Sequence, residues 1–174
     1  MGAGKSSVGD CLARWTTVPL YETDEIIASN FGISIPEIFA KHGEEKFREV
    51  ETDALRSLAT TEQAIIVTGG GIVLREENID VLKRLGVVVW LDGNEETLFE
   101  RASRSRNRPL LQGENPKEAF ARILQARVPL YAKVALIRVD TSVLTDEEVA
   151  VAILSKLKKH GRNLRAGSPI PITA

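Results

Sequence analysis

Met1-Gly2-Ala3-Gly4-Lys5-Ser6-Ser7 opens the chain, and its reading decides the fold. A glycine-rich turn, a Lys-Ser pair and then a helical pattern have the form of a phosphate-binding loop. Gly2, Ala3, Gly4 and Ser7 offer backbone N–H groups that can turn inward around phosphate oxygens. Lys5 adds a positive charge, and the Ser6 hydroxyl can ligand a Mg²⁺ carried by the phosphates. The helix that follows aims its positive end at the same anion. Val8, Cys11, Leu12 and Trp15 fall at i, i+3, i+4 and i+7, one apolar face at helical period. Each part suits a nucleoside triphosphate.

The complete pattern also has a glycine five residues before Gly4, which would lie ahead of Met1. The strand that leads into such a loop would lie there too. The expectation is therefore a chain that starts late.

Outward from the loop, the apolar and polar segments alternate. Val18 to Tyr21 reads as a strand ending at Glu22-Thr23-Asp24, acidic residues at the end of a strand where open α/β sheets bind ligands. A helix runs from Glu25 to Phe31 and stops at Gly32. Ser34 to Glu37 has capping-box spacing with a proline in the first turn, opening a helix that closes at Gly43. A longer one covers Glu44 to Ala59, with Phe47, Val50, Ala54, Leu55 and Leu58 inward. Ala64 to Val67 is a continuous apolar run, as in a strand covered on both faces, and Gly69-Gly70-Gly71 follows. Three glycines there indicate close approach of a ligand to the backbone.

A helix from Glu76 to Leu85, a strand from Val87 to Leu91 and a helix from Asn94 or Glu95 come next. Arg101, Arg104, Arg106 and Arg108 then lead into a Pro/Gly-containing loop, suited to a lid over residues 103–115 that brings guanidinium groups to phosphates. A helix from Asn115-Pro116 is interrupted or kinked near Pro129. Ala135 to Val139 is a strand, and Thr145 to Glu148 caps a final helix that closes at Gly161. Residues 162–174 lack a period and read as a disordered tail. The alternation predicts one α/β domain over residues 1–161, with a parallel sheet and right-handed crossovers.

Composition narrows the function classes. The 174 residues carry a net charge of −1, so no global basic field recruits nucleic acid, and the short arginine cluster lacks interleaved aromatics. One cysteine, Cys11, excludes an internal disulfide framework and a multi-cysteine zinc site, and fits a reducing cytoplasm. No apolar run of about 18 residues predicts a membrane span, and no signal-peptide pattern opens the chain.

Together these motifs resemble the shikimate kinase family, within the nucleoside-monophosphate-kinase-like group of phosphate-loop folds. The resemblance rests on Gly2 to Ser6, Glu22-Thr23-Asp24, Ile38-Phe39, Gly43-Glu44 with Phe47-Arg48 and Glu51, Gly69 to Gly71, Arg108 to Leu111, and Arg127-x-Pro129-Leu130-Tyr131, in this order across residues 1–141. It implies transfer of the ATP γ-phosphoryl group to the 3-hydroxyl of shikimate in aromatic amino acid biosynthesis, with Mg²⁺. It implies a three-layer fold with strand order 2-3-1-4-5, the absent strand being the central one. Two neighbours would then keep unpaired edges, with poor stability and little activity.

The resemblance further implies that Arg48 and Arg127 clamp the shikimate carboxylate, where a planar guanidinium fork suits it better than lysine. Gly69, Gly70 and Gly71 approach the same ligand, and Phe39, Phe47 and Glu51 line its pocket, within an acceptor region of about residues 24–59. Asp24 holds the reacting hydroxyl, Lys5 and Arg108 neutralise the transferring phosphoryl group, Ser6 and, through water, Glu22 serve the metal, and Arg101 stacks on adenine. Glu22 stands where the family has aspartate. A monomer is expected by analogy. Two other readings fit the residues: a related small-molecule kinase such as gluconate kinase, and a non-catalytic homologue that only binds ligand.

Overall fold

The computed structural model describes residues 1–104, 115–161 and 168–173. In these, β1 (Leu20–Glu22), β2 (Ile65–Val67), β3 (Val89–Asp92), β4 (Ile137–Asp140) and β5 (Ile170–Thr173) form one sheet, every pairing parallel, in the order β1-β2-β5-β3-β4. The helices are α1 (Lys5–Thr16), α2 (Thr23–Phe31), α3 (Ile35–Ser57), α4 (Glu76–Leu85), α5 (Glu95–Ser103), α6 (Pro116–Val134) and α7 (Asp146–Lys159).

The sheet is buried because its residues alternate between two apolar layers. Ile65, Val67, Val89, Leu91, Ile137, Val139, Ile170 and Ile172 pack with Val8, Cys11 and Leu12 of α1 and Ile153 and Leu157 of α7. Ala64, Ile66, Val88 and Trp90 face the other way, onto Leu55 of α3, Ile79 and Leu82 of α4, and Tyr131 and Val134 of α6. Fully burying one such aliphatic side chain contributes roughly 1.5–3 kcal/mol relative to exposing it. Gly9 lets α1 lie close to the sheet: a Cβ there would sit 2.8 Å from Val67 Cγ2.

Most boundaries follow the local signals. Gly43 (φ 80°, ψ 171°) breaks α3 into two stretches where the sequence places a helix end. Both capping boxes, Ser34–Glu37 and Thr145–Glu148, are formed. Two expectations are corrected. Trp15 is 43 % exposed, because α1 presents Val8, Cys11, Leu12 and Thr16 to the core and ends one residue later. Pro129 does not end α6, which continues to Val134.

The third correction concerns the tail. Residues 170–173 are not disordered: they form β5, which occupies the central position of the sheet between β2 and β3. Residues 162–167 lie outside the described residues. The expected open edges beside a missing central strand therefore do not arise. Ile170 N donates to Ala64 O at 2.8 Å, and Ile172 O accepts from Thr68 N at 3.1 Å and Thr68 Oγ1 at 3.3 Å. Pro171, which has no N–H to give, sits just before the β3–β5 ladder begins at Ile172.

Candidate active site

The carboxyl ends of the parallel strands and the amino end of α1 converge on one edge of the sheet, the usual ligand edge of such folds. Gly2 (φ 76°) and Gly4 (φ 78°) both take the left-handed conformation, which costs glycine little and turns the loop back on itself beneath α1. A Cβ on Gly2 would meet Leu98 O at 2.2 Å, so the loop can pass there only as glycine.

A cleft of about 630 Å³ lies over this loop. Gly2, Gly4, Lys5, Ser6 and Ser7 form its floor, with Glu22, Asp24 and Val67 to Gly70 on one side and Arg101, Arg104 and Leu144 to Glu147 on the other. Ala3 is buried beneath it. Ser6 Oγ donates to Glu22 Oε2 at 3.0 Å, bringing the two expected metal-serving oxygens together. Burial raises the Glu22 carboxyl above its ordinary value, opposed by the Ser6 bond and helped by neighbouring Glu25, Asp10 and Asp24. Among the described residues, no group of three or more His, Cys, Asp or Glu side chains could hold a metal by itself. Arg101 Nη1 donates to Thr141 O at 2.9 Å, which fixes its guanidinium plane at the cleft wall. Arg108 and most of the expected lid lie outside the described residues.

A second cleft, of about 400 Å³, adjoins the first. It collects Asp24, Phe39, Phe47, Arg48, Glu51, Gly69, Gly70, Gly71 and Arg127, the whole acceptor set expected from the sequence. The two clefts share Asp24, Gly69 and Gly70. Phe39 and Phe47 pack with centroids 4.5 Å apart and planes tilted by 37°, making an apolar wall, and the Arg48 guanidinium lies over Phe47 at 5.2 Å.

Arg48 is pinned. Its Nη1 donates to Glu51 Oε2 at 2.8 Å and its Nη2 to Glu44 Oε1 at 2.9 Å. Glu51 is fully buried; burial drives its carboxyl up, against the pull of Arg48. Glu51 Oε1 and Arg127 Nε are buried with no hydrogen-bond partner among the described residues. A buried, unanswered donor and acceptor on one cleft wall are what a bound polar ligand would satisfy.

The glycines earn their place by contact. A Cβ on Gly69 would be 2.6 Å from Glu51 Oε1 and 3.0 Å from Asp24 Oδ1, and one on Gly71 would be 2.1 Å from Arg48 Nη1. Gly69 N donates to Thr23 Oγ1 at 3.2 Å, and Tyr131 Oη donates to Gly70 O at 2.5 Å. Burial pushes the Tyr131 hydroxyl up to about 12, so it stays a donor at neutral pH. Sequence reasoning missed Glu44 and Thr23 as parts of this framework. The i, i+4 spacing of Glu44 and Arg48 was the available signal for the first; nothing local announced the second. It also missed Met1, Glu25, Ala28, Ile35 and Pro36 on the acceptor wall.

The family model described as shikimate kinase matches residues 1–158. A shikimate kinase of Thermodesulfovibrio yellowstonii is 43 % identical over 159 residues, covering 91 % of each chain. Among solved structures, a shikimate kinase from Acinetobacter baumannii in complex with shikimate superposes with a TM-score of 0.88 at 37 % identity, covering 92 % of this chain and 89 % of that one. One from Aquifex aeolicus superposes with a TM-score of 0.81 at 36 % identity, over 92 % and 94 %.

Proposed function

The chain belongs to the shikimate kinase family, and from that premise we propose that it transfers the γ-phosphoryl group of ATP to the 3-hydroxyl of shikimate. The observation that carries the reading is the pair of adjoining clefts. One is floored by the phosphate loop, the other is lined by Arg48 and Arg127, and Asp24 stands in the wall between them.

In this reading Arg48 and Arg127 hold the shikimate carboxylate, and Phe39 and Phe47 pack on the ring. Arg127 Nε then gains the acceptor it lacks, and Glu51 Oε1 takes a substrate hydroxyl. Asp24 orients the reacting hydroxyl toward the phosphate cleft and accepts its proton as the oxygen bonds to phosphorus and the bond to the ADP oxygen breaks. Backbone N–H groups of residues 2–7, Lys5 and the amino end of α1 stabilise the charge on the transferring group. Arg108 adds its charge to the same group, and Arg101 offers a fixed plane to adenine.

Mg²⁺ fits the donors present. Ser6 Oγ and the Glu22 carboxylate are hard oxygen ligands side by side, and this ion is ordinarily held by one or two protein oxygens, waters and substrate phosphates. When bound it neutralises charge on the β- and γ-phosphates. Glutamate for aspartate at residue 22 keeps the charge within reach of Ser6. No helix among the described residues is long and apolar enough to cross a membrane, and a monomeric cytoplasmic enzyme is part of the same reading.

ADP release from Mg-ATP, followed in a coupled assay with shikimate or gluconate as acceptor, tests it. Turnover is expected with shikimate alone. Folded protein that binds shikimate without turnover would establish the ligand-binding reading instead, and gluconate turnover the other kinase.

A further inference from the structure

The central strand of the sheet is also the one farthest in sequence from the loop it supports. β5 follows every other strand, yet it lies at the centre, with β2 on one side and β3 on the other. Ile170, Pro171, Ile172 and Thr173 are all buried. The slot is shaped for such a segment at its entrance: at Gly86 a Cβ would lie 2.0 Å from Pro169 O and 3.1 Å from Ser168 Cβ, so only glycine lets the chain in. It is tied to the site at its exit, where Ile172 O accepts both the N–H and the hydroxyl of Thr68. Thr68 lines the phosphate cleft and leads directly into Gly69 to Gly71.

We propose that the gap between β2 and β3 is a peptide-binding slot, selective for a short apolar segment running parallel to its neighbours, that residues 168–173 fill it from within the same chain, and that its occupancy sets the geometry of both clefts. The contacts that hold β5 are backbone hydrogen bonds and apolar packing, the terms by which an added strand binds between sheet edges. Its side chains at 170 and 172 enter the layer under α1, so filling the slot also seats the helix that carries the phosphate loop.

A protease site inserted within residues 162–167 tests this on the folded protein. After cleavage the released fragment is expected to co-migrate with the body in gel filtration, with shikimate-dependent turnover retained. A labelled peptide of residues 168–174 is expected to exchange into the cleaved protein on incubation, in a saturable way. The same protein carrying Ile172→Asp is expected to shed the fragment and lose turnover, and the wild-type peptide added in excess to restore it. Separation of the wild-type fragment with turnover unchanged would overturn the proposal. So would hydrogen exchange of the Ile170 and Ile172 amides in the intact protein at the rate of an unstructured peptide. Co-migration and exchange are read without any acceptor, so they stand or fall apart from the assignment of shikimate.

Discussion

At Gly71 the site is decided by the absence of one carbon. The residue has φ −88° and ψ −3°, open to any amino acid, so its requirement is space alone. Arg48 cannot yield, because Glu44 and Glu51 hold its guanidinium from two sides. Gly71→Ala is expected to leave the far-UV circular dichroism unchanged and to raise KM for shikimate about 10- to 100-fold, the loss of one charged hydrogen bond of roughly 1.5–3 kcal/mol. Steady-state kinetics with varied shikimate reads this directly. Glu22 offers a pH test. Its carboxyl is raised above the ordinary 4.5 in the folded protein, chiefly by burial. Acidification therefore protonates it earlier than an exposed glutamate, and the acid limb of kcat/KM for Mg-ATP, which reports the free enzyme, is expected above that value. Glu22→Gln should lower kcat/KM and remove this limb; an unchanged limb would exclude Glu22 as its source. At this scale the site residues were largely legible, because each has a chemical reason in its own type: arginine for a carboxylate, glycine for close approach, an acid at a strand end. Thr23 was not, since its partner Gly69 lies 46 positions away and a threonine at a helix start has many ordinary uses.

Among the elements, α7 shows how a local signal can serve a distant purpose. Thr145 Oγ1 accepts from Glu148 N at 3.2 Å, and Glu148 Oε2 accepts from Thr145 N at 2.8 Å. The same cap lines the phosphate cleft, and α7 packs on α1 through Ile153 and Leu157. Thr145→Ala is expected to cost about 1 kcal/mol of stability and to raise KM for ATP more than KM for shikimate. Urea unfolding and the two KM values check the pair of effects. The helices were readable because period and caps agree. β5 was not readable: Ile-Pro-Ile-Thr is too short for alternation to register, and its proline speaks against a central strand. What places it there is the matching apolar surface of two other strands, a tertiary fact. Trp15 misled for a different reason: the buried face of α1 runs through Val8, Cys11, Leu12 and Thr16 and leaves Trp15 beside it, 43 % exposed.

For the whole molecule, the two clefts share Asp24, Gly69 and Gly70 as one wall. Shikimate at 100 times its Kd is expected to add about 2.7 kcal/mol to the unfolding free energy, a rise in Tm of roughly 5–10 °C for a chain of this size. Differential scanning fluorimetry with and without shikimate measures it, and no shift at saturating shikimate would exclude a formed acceptor site.

The position of β5 also dictates an order of events during synthesis. The Thr68–Ile172 bond spans 104 positions, and contacts so remote are the slowest to form. Among the described strands β5 is synthesised last, after β1, β2, β3 and β4. Until it is in place, the edges of β2 and β3 that it covers carry unpaired backbone groups of the kind that pair with other chains. Substitutions that weaken β5 are therefore expected to lower the soluble fraction on expression, because they leave those two edges open for longer.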